Sequence, residues 1–370
     1  MAAASTIPVT ILSGFLGAGK STLLNDLLAH PAMGDTAVVV NEFGEISLDH
    51  DLIKVGNREL MVTTTGCICC TAGSDIRSSL YELHDAAAKA LGRSFSRVVV
   101  ETTGLADPAP LVNQLIPGFA PAVGLRDHVV ARRFHMAGFV CAVDATAVEQ
   151  TLEAHFECLK QIAFADRIAV TKSDLGGRDA GHLETQLRSI NPAADIVDRH
   201  SPDFDIAALF APRGYATANC GTDVEGWLAL ERILAAEPRD ESKAIQARHG
   251  SRIETVVLTH ETPIEPNSLG TFLDILRLFA SPRVLRLKGL VCVADDPERP
   301  YVLHAVQHNV HPPERLDAWP SPDRRTRLVL ITQDLEGGVA MKLFEAIVGP
   351  ASRALRTPAG VAMSLRARVN

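Results

Sequence analysis

The sequence predicts an α/β fold, a doubly wound and mostly parallel sheet, followed by a second, smaller α+β domain at the C-terminal end. Three observations predict it. Apolar runs of strand length recur along the first half, at residues 7–13, 37–40, 59–64, 97–101, 139–144 and 167–171. Helical stretches separate several of these runs, and such alternation implies parallel strands joined by crossover helices. Past a polar, charged stretch near 236–250 the order becomes strand (253–259), helix (266–280), strands (283–294, 301–310, 326–332) and helix (338–348). That order suits helices gathered on one face of a small sheet. The expected division is a domain over 1–235, a linker over 236–250 and a domain over 251–370.

Composition allows two cores and excludes several classes. The chain has 370 residues, 46% of them hydrophobic. No apolar run reaches membrane-spanning length without charge, Pro or Gly. The start, MAAASTIPVT, lacks a basic segment followed by an apolar one, so no secretory signal is expected. Seven cysteines, an odd number in a long chain, argue for a reducing, cytoplasmic setting. Net charge is −8, which leaves no overall nucleic-acid footprint. From Ile245 onward 16 Lys and Arg stand against 13 Asp and Glu, so that part carries +3 and the rest −11. Neither a nucleic acid nor a membrane is an expected partner.

The first strand, IPVTILS, runs straight into GFLGAGKST. This matches G-x-x-x-x-G-K-S/T, a phosphate-binding P-loop. Gly14, Gly17 and Gly19 let the backbone wrap a phosphate with its N–H groups. Lys20 supplies a cation to the β- and γ-phosphates, and the Ser21 hydroxyl, next to Thr22, can ligate Mg²⁺. Leu23, Leu24, Leu27 and Leu28 then give one apolar helix face. The second strand leads to NEFGE (Asn41, Glu42), and the third leads to GCICC with Cys67, Cys69 and Cys70. A helix follows in which Ser74 can cap and Ile76, Leu80, Leu83 and Ala87 share a face. The fourth strand ends at Glu101. In a parallel sheet all four segments emerge at one edge, where ligands bind.

Base choice comes from TKSD after the sixth strand. It has the form of the guanine-reading N-K-x-D motif, with Thr171 for Asn. Asp174 can accept hydrogen bonds from guanine N1–H and the 2-amino group, which adenine cannot offer. Lys172 would pack its stem along the base.

With these residues in place the chain resembles the CobW/nitrile-hydratase-activator family of P-loop GTPases, linked to metal insertion and zinc homeostasis. The matching segments are GFLGAGKST, NEFGEISLD, GCICC, VVVETTGLADPAP, VDA (143–145), QIAFADRI and TKSD. RLKG (286–289), VQ (306–307) and RLVLITQDL resemble its smaller C-terminal domain. The histidine-rich tract of several members is absent, and Val40 stands where some relatives carry an acid. The resemblance implies that Glu101 serves Mg²⁺ and that the Gly104 N–H meets the γ-phosphate, with Lys20 at the same phosphates. It makes Asn41 to Asp49 the first switch, with Asp49 a further magnesium-side ligand. No catalytic Gln or arginine finger can be assigned, so intrinsic hydrolysis is expected to be slow.

Thiolates suit Zn²⁺ and Cu(I), not Mg²⁺. Cys67, Cys69 and Cys70 cannot close a four-cysteine site within their own loop. With Glu42 or water they would form an incomplete, exchangeable site of the kind a transfer protein needs. A helix beginning near Ser74 should lower the Cys70 thiol pKa. Small core residues and a redox pair are the competing readings, and density at a strand end favours metal. The cysteines 141, 158, 220 and 292 are expected to be buried and inert. His304, His308 and His311 lie close in sequence, and packed or surface histidines are the commoner outcome of such spacing. The basic residues Arg283, Arg286, Lys288 and Arg324 to Arg327 are expected to serve domain contacts or a partner.

The resulting expectation is a GTP-hydrolysing metallochaperone using GTP, Mg²⁺ and Zn²⁺. It would deliver the thiophilic metal to a metal-requiring client, and nucleotide- or metal-dependent self-association is compatible with it. The alternative is a GTP-dependent assembly or activation chaperone with structural or redox-active cysteines.

Overall fold

The computed structural model describes residues 6–40, 62–64, 76–89, 95–115, 124–176, 180–212, 243–246, 252–280, 283–307, 309–310 and 313–349. The first sheet holds β1 (Ile7–Gly14), β2 (Thr36–Val40), β3 (Val62–Thr64), β4 (Arg97–Glu101), β5 (Phe134–Asp144), β6 (Arg167–Thr171) and β7 (Asp195–Asp198). Their order is β3-β2-β4-β1-β5-β6-β7, and every pairing is parallel. The chain leaves β1 in both directions, so the crevice beside β1 is the switch point where such sheets bind ligands.

Both faces of this sheet are covered, which is why its strands read as continuous apolar runs. On one face Leu12, Val38, Val40, Val99, Val140 and Ala142 pack against α1 (Lys20–Ala29) and α8 (Ile206–Leu209). On the other, Val9, Ile11, Val39, Val98, Val100 and Phe139 join the larger core. There lie α2 (Ile76–Lys89), α3 (Pro108–Leu115), α4 (Leu125–Arg133), α5 (Val148–Ala154), α6 (Phe156–Phe164) and α7 (Ala180–Ile190).

The second sheet is antiparallel. It comprises β8 (Lys243–Gln246), β9 (Arg252–His260), β10 (Val284–Val291), β11 (Tyr301–Val306), β12 (Asn309–Val310), β13 (Glu314–Arg315) and β14 (Thr326–Gln333). Strand β8 falls inside the stretch read as a linker and pairs with β9, so that stretch adds an edge strand to the sheet. Two helices, α9 (Pro266–Ile275) and α10 (Gly337–Val348), cover one face, with Phe272 and Phe344 edge to face at 5.0 Å.

The other face of the second sheet rests on the first domain. Ile253, Leu290, Val302, Val306, Val329 and Ile331 join the larger core. Buried Arg286 donates to the Phe164 carbonyl and to buried Asp166, and Lys288 Nζ lies 4.0 Å from the same carboxylate. Thr255 Oγ1 donates to the Ile190 carbonyl at 2.8 Å, and Asn113 Nδ2 to Gln307 Oε1 at 3.1 Å. Arg286 and Lys288 thus make domain contacts. Arg324, Arg325 and Arg327 instead pair with Glu298, Glu261 and Asp323 of their own domain. Among the described residues no helix is long and apolar enough to cross a membrane.

Candidate functional site

The phosphate end is built from backbone. Gly14 has φ +141°, and a Cβ there would sit 2.4 Å from the Ala142 carbonyl oxygen of the neighbouring strand. Gly17 and Gly19 also take positive φ, at 72° and 87°. The loop delivers the chain to α1, whose first turn holds no acidic residue. Its N–H groups and dipole are therefore open to a phosphate without a competing anion from the helix's own first turn. Lys20 Nζ donates to the Gly14 and Phe15 carbonyls at 3.0 and 3.2 Å, which holds the ammonium over the loop.

Beside it stands the segment that follows β4. Leu12 is opposite Glu101 in the sheet, and Ser21 Oγ lies 3.4 Å from Glu101 Oε1. A hydroxyl and a buried carboxylate are hard oxygen donors, a set that fits Mg²⁺. The Thr102 N–H donates to the Leu12 carbonyl at 2.9 Å, and its hydroxyl to Ser13 Oγ at 3.1 Å. A Cβ on Gly104 would meet the Leu16 nitrogen at 2.5 Å, so only glycine allows this approach. Fully buried Gln161 of α6 donates to the carbonyls of Gly104 and Ala106 at 3.1 and 3.2 Å. Sequence reasoning found Glu101 and Gly104 but assigned no role to Gln161, although it begins the QIAFADRI segment.

The base end is built from side chains. Buried Thr171 donates to the Ala18 carbonyl at 2.8 Å, with the Val143 carbonyl at 3.2 Å. Its hydroxyl thus ties this loop to the phosphate loop. Lys172 takes φ +58° and its Nζ binds Asp144 Oδ2 at 2.6 Å. Asp144 also accepts from the Thr146 N–H and hydroxyl at 2.8 and 2.6 Å. Burial pushes the Asp144 carboxyl up, but Lys172 and Thr146 outweigh it and hold the group below the usual aspartate range. Asp174, half exposed, meets His200 Nε2 at 2.9 Å. Ser173 Oγ donates to Asp198 at 2.6 Å. Asp144, Asp198 and His200 were not singled out from sequence. The signal for Asp144 was there, at the end of an apolar strand. Strand β7 has only four, half-buried residues bounded by Asp195 and Asp198, too faint a pattern to mark His200.

Glu42, Asp49, Cys67, Cys69, Cys70, Cys220, His308 and His311 lie outside the described residues. What is described is the scaffold that leads to them. Val40 is opposite Thr64 on one side and Glu101 on the other. The strand ending three residues before Cys67 therefore finishes at the same edge as Glu101, about 10 Å away across β2. Among the described residues no group of three or more His, Cys, Asp or Glu is arranged to hold a metal. His304 is buried, opposite Lys288 in the sheet. Cys141, Cys158 and Cys292 are buried, and burial pushes each thiol up, that of Cys158 to about 12. These three are poor thiolates.

Comparison with known proteins agrees with this geometry. The family model for the CobW/HypB/UreG nucleotide-binding domain matches residues 8–198, and that for the cobalamin synthesis protein cobW C-terminal domain matches 253–348. The chain is similar to the zinc chaperone YjiA of Escherichia coli, 30% identical over 79% of this chain and 84% of that protein. It is 27% identical to the zinc chaperone CobW of a Sinorhizobium species, over 92% of this chain and 97% of that one. The fold is shared with the crystal structure of Zn(II)-bound YjiA GTPase from E. coli, at TM-score 0.65 and 23% identity, covering 93% of this chain and 99% of the other.

Proposed function

The chain belongs to the CobW/HypB/UreG family and is a P-loop GTPase, and from that premise we propose that it couples its nucleotide state to the binding and delivery of zinc to a metal-requiring client. The observation that carries the coupling is register. Strands β1, β2, β3 and β4 end together, so the sequence runs that lead to the P-loop, to Glu42, to the three cysteines and to Glu101 start from one sheet edge. Relatives named as zinc chaperones support zinc as the cargo. Soft thiolates at Cys67, Cys69 and Cys70, completed by Glu42, suit that cargo and leave it exchangeable.

Hydrolysis in this reading uses the chain's own groups. The P-loop amides and Lys20 hold the β- and γ-phosphates. Ser21 and Glu101 would hold Mg²⁺, which would supply positive charge against the charge that develops on the phosphates. Gly104, braced by Gln161, offers its N–H to the γ-phosphate and so reports whether that phosphate is present. If the segment carrying Glu42 orders around GTP, GTP raises zinc affinity, and zinc must raise GTP affinity by the same factor.

The test is a zinc titration under reducing conditions, first with GDP and then with a non-hydrolysable GTP analogue. Wild-type zinc affinity should rise about 5- to 150-fold with the analogue, the range of a 1–3 kcal/mol coupling. Changing Cys67, Cys69 and Cys70 together to Ser should abolish tight zinc binding and leave GTP binding nearly intact. Equal wild-type zinc affinity in both nucleotide states would reject the coupling.

A further inference from the structure

The loop after β7 is docked with unusual care for a surface connection. Arg199 pairs with Asp26 of α1 at 2.8 Å, and its N–H donates to the Val170 carbonyl at 2.9 Å. The next N–H, that of His200, donates to Asp198 at 2.8 Å, and the same carboxylate takes the Ser173 hydroxyl. These contacts fasten the loop to the 171–175 segment on one side and to α1 on the other. The residue they place is His200, with Nε2 at 2.9 Å from Asp174 Oδ1. A carboxylate only accepts, so the proton of this contact is on Nε2. The Arg199 Nη1 contact to Nε2, at 3.5 Å, is then between two donors and is not a hydrogen bond.

We propose that His200 is a specificity-determining residue of the base pocket, which positions the Asp174 carboxylate to read guanine. This rests on the assignment of Asp174 as the guanine reader. Asp174 is half exposed, and the described structure gives its carboxylate no other ion-pair partner. A free aspartate at such a place samples several rotamers, and guanine must select one. The His200 N–H occupies one lone pair of Oδ1 and fixes the plane of the carboxylate. The lone pairs left over accept the N1–H and the 2-amino group. Among the described residues His200 meets Asp174, Asp198 and Arg199, none of which belongs to the P-loop, so its contribution falls on the base.

The experiment measures affinities for GDP, IDP and ADP in wild type, His200→Ala, His200→Gln and Asp174→Asn. IDP lacks the 2-amino group, so the IDP-to-GDP ratio isolates one of the two hydrogen bonds. His200→Ala should weaken GDP by about 5- to 15-fold, the size of one net hydrogen bond near the upper end of the ordinary range. It should leave ADP unchanged, and so narrow both ratios. His200→Gln, which keeps a donor, should restore part of the GDP preference. Equal weakening of all three nucleotides by His200→Ala would mean a merely structural loop residue and would overturn the inference. So would ratios in His200→Ala that equal those of a wild type preferring GDP. If wild type binds all three equally, or if Asp174→Asn keeps the wild-type order of affinities, the guanine assignment itself fails, and the role of His200 with it.

Discussion

The two ends of the proposed nucleotide site are made by different means. The phosphate end depends on backbone: positive φ at three glycines, a helix N-terminus, and a glycine at 104 close enough to touch the P-loop chain. The base end depends on side chains: a buried threonine hydroxyl, a lysine–aspartate pair and a histidine–aspartate pair. A phosphate is the same in every nucleotide, so a rigid backbone cradle suffices for it. A base must be distinguished from its rivals, and side chains carry the donors and acceptors that discriminate. The difference predicts that phosphate-end changes remove binding altogether, while base-end changes redistribute it among nucleotides.

The largest effect should come from Lys20→Ala. The ammonium is the one side-chain charge assigned to the phosphates, and its loss should cost GTP and GDP affinity about 100-fold or more. The fold should survive, because the loop geometry is set by glycines. Isothermal titration with a thermal melt as control checks both points. Near-normal affinity in a folded variant would contradict the P-loop assignment.

Next is Asp174→Asn. It should erode preference for GTP over ATP, a discrimination that polar sites of this kind can raise to roughly 10⁴-fold. Xanthine nucleotides should gain, since their 2-oxo group accepts from the new amide. A competition series with GTP, ATP and XTP measures this, and a wild type indifferent to base would remove the contrast between the two ends.

How far each end was legible follows the same division. The phosphate end was readable because its residues are contiguous from Gly14 to Thr22 and each has a backbone reason to be there. Of the base end only Thr171 to Asp174 form a contiguous run. Asp144 and His200 arrive from two other strand ends, and nothing local announces their meeting. The interface with the second domain was half legible for a related reason. Arg286 and Lys288 stood out as cations in an apolar strand, but their partner, Asp166, is a buried acid 120 residues from Arg286. The thiol loop was legible in chemistry, and the structure adds the edge from which it departs.

A smaller effect is expected at the joint between the ends. Thr171→Ala removes the hydroxyl that ties the base loop to the Ala18 carbonyl. The loss should be about 1–2 kcal/mol, since a buried acceptor loses its donor. Affinity for GDP and ADP should fall together, without a change in preference, because Thr171 braces and does not read. Thr171→Asn should largely restore binding. A shift in base preference in Thr171→Ala would place the residue among the readers instead.

The smallest effect concerns acid, and it separates a charged end from a backbone one. Asp144 holds Lys172 by an ion pair whose carboxylate is mostly buried and whose ammonium is over a third exposed. Its folded carboxyl lies below the ordinary aspartate value, so the deprotonated form is the one the fold favours. The sign follows. Stabilisation is fully present above the unfolded pKa, about 3.9, and is lost as pH falls through the lower folded value. Asp144→Asn should therefore lower stability by about 1 kcal/mol at pH 7, a figure kept small for solvent screening at the lysine. The gap between wild type and variant should stay constant down to about pH 5 and begin to narrow below about pH 4. Urea denaturation of both proteins at pH 7, 5, 4 and 3 measures it. A gap at pH 3 undiminished from its size at pH 7 would mean that the Asp144 contribution is neutral hydrogen bonding from Thr146, and that the base end is less dependent on charge than its geometry implies. Thr102→Val, a phosphate-end change whose lost hydroxyl meets Ser13 and the Leu12 carbonyl and no carboxylate, should show no such narrowing over the same range.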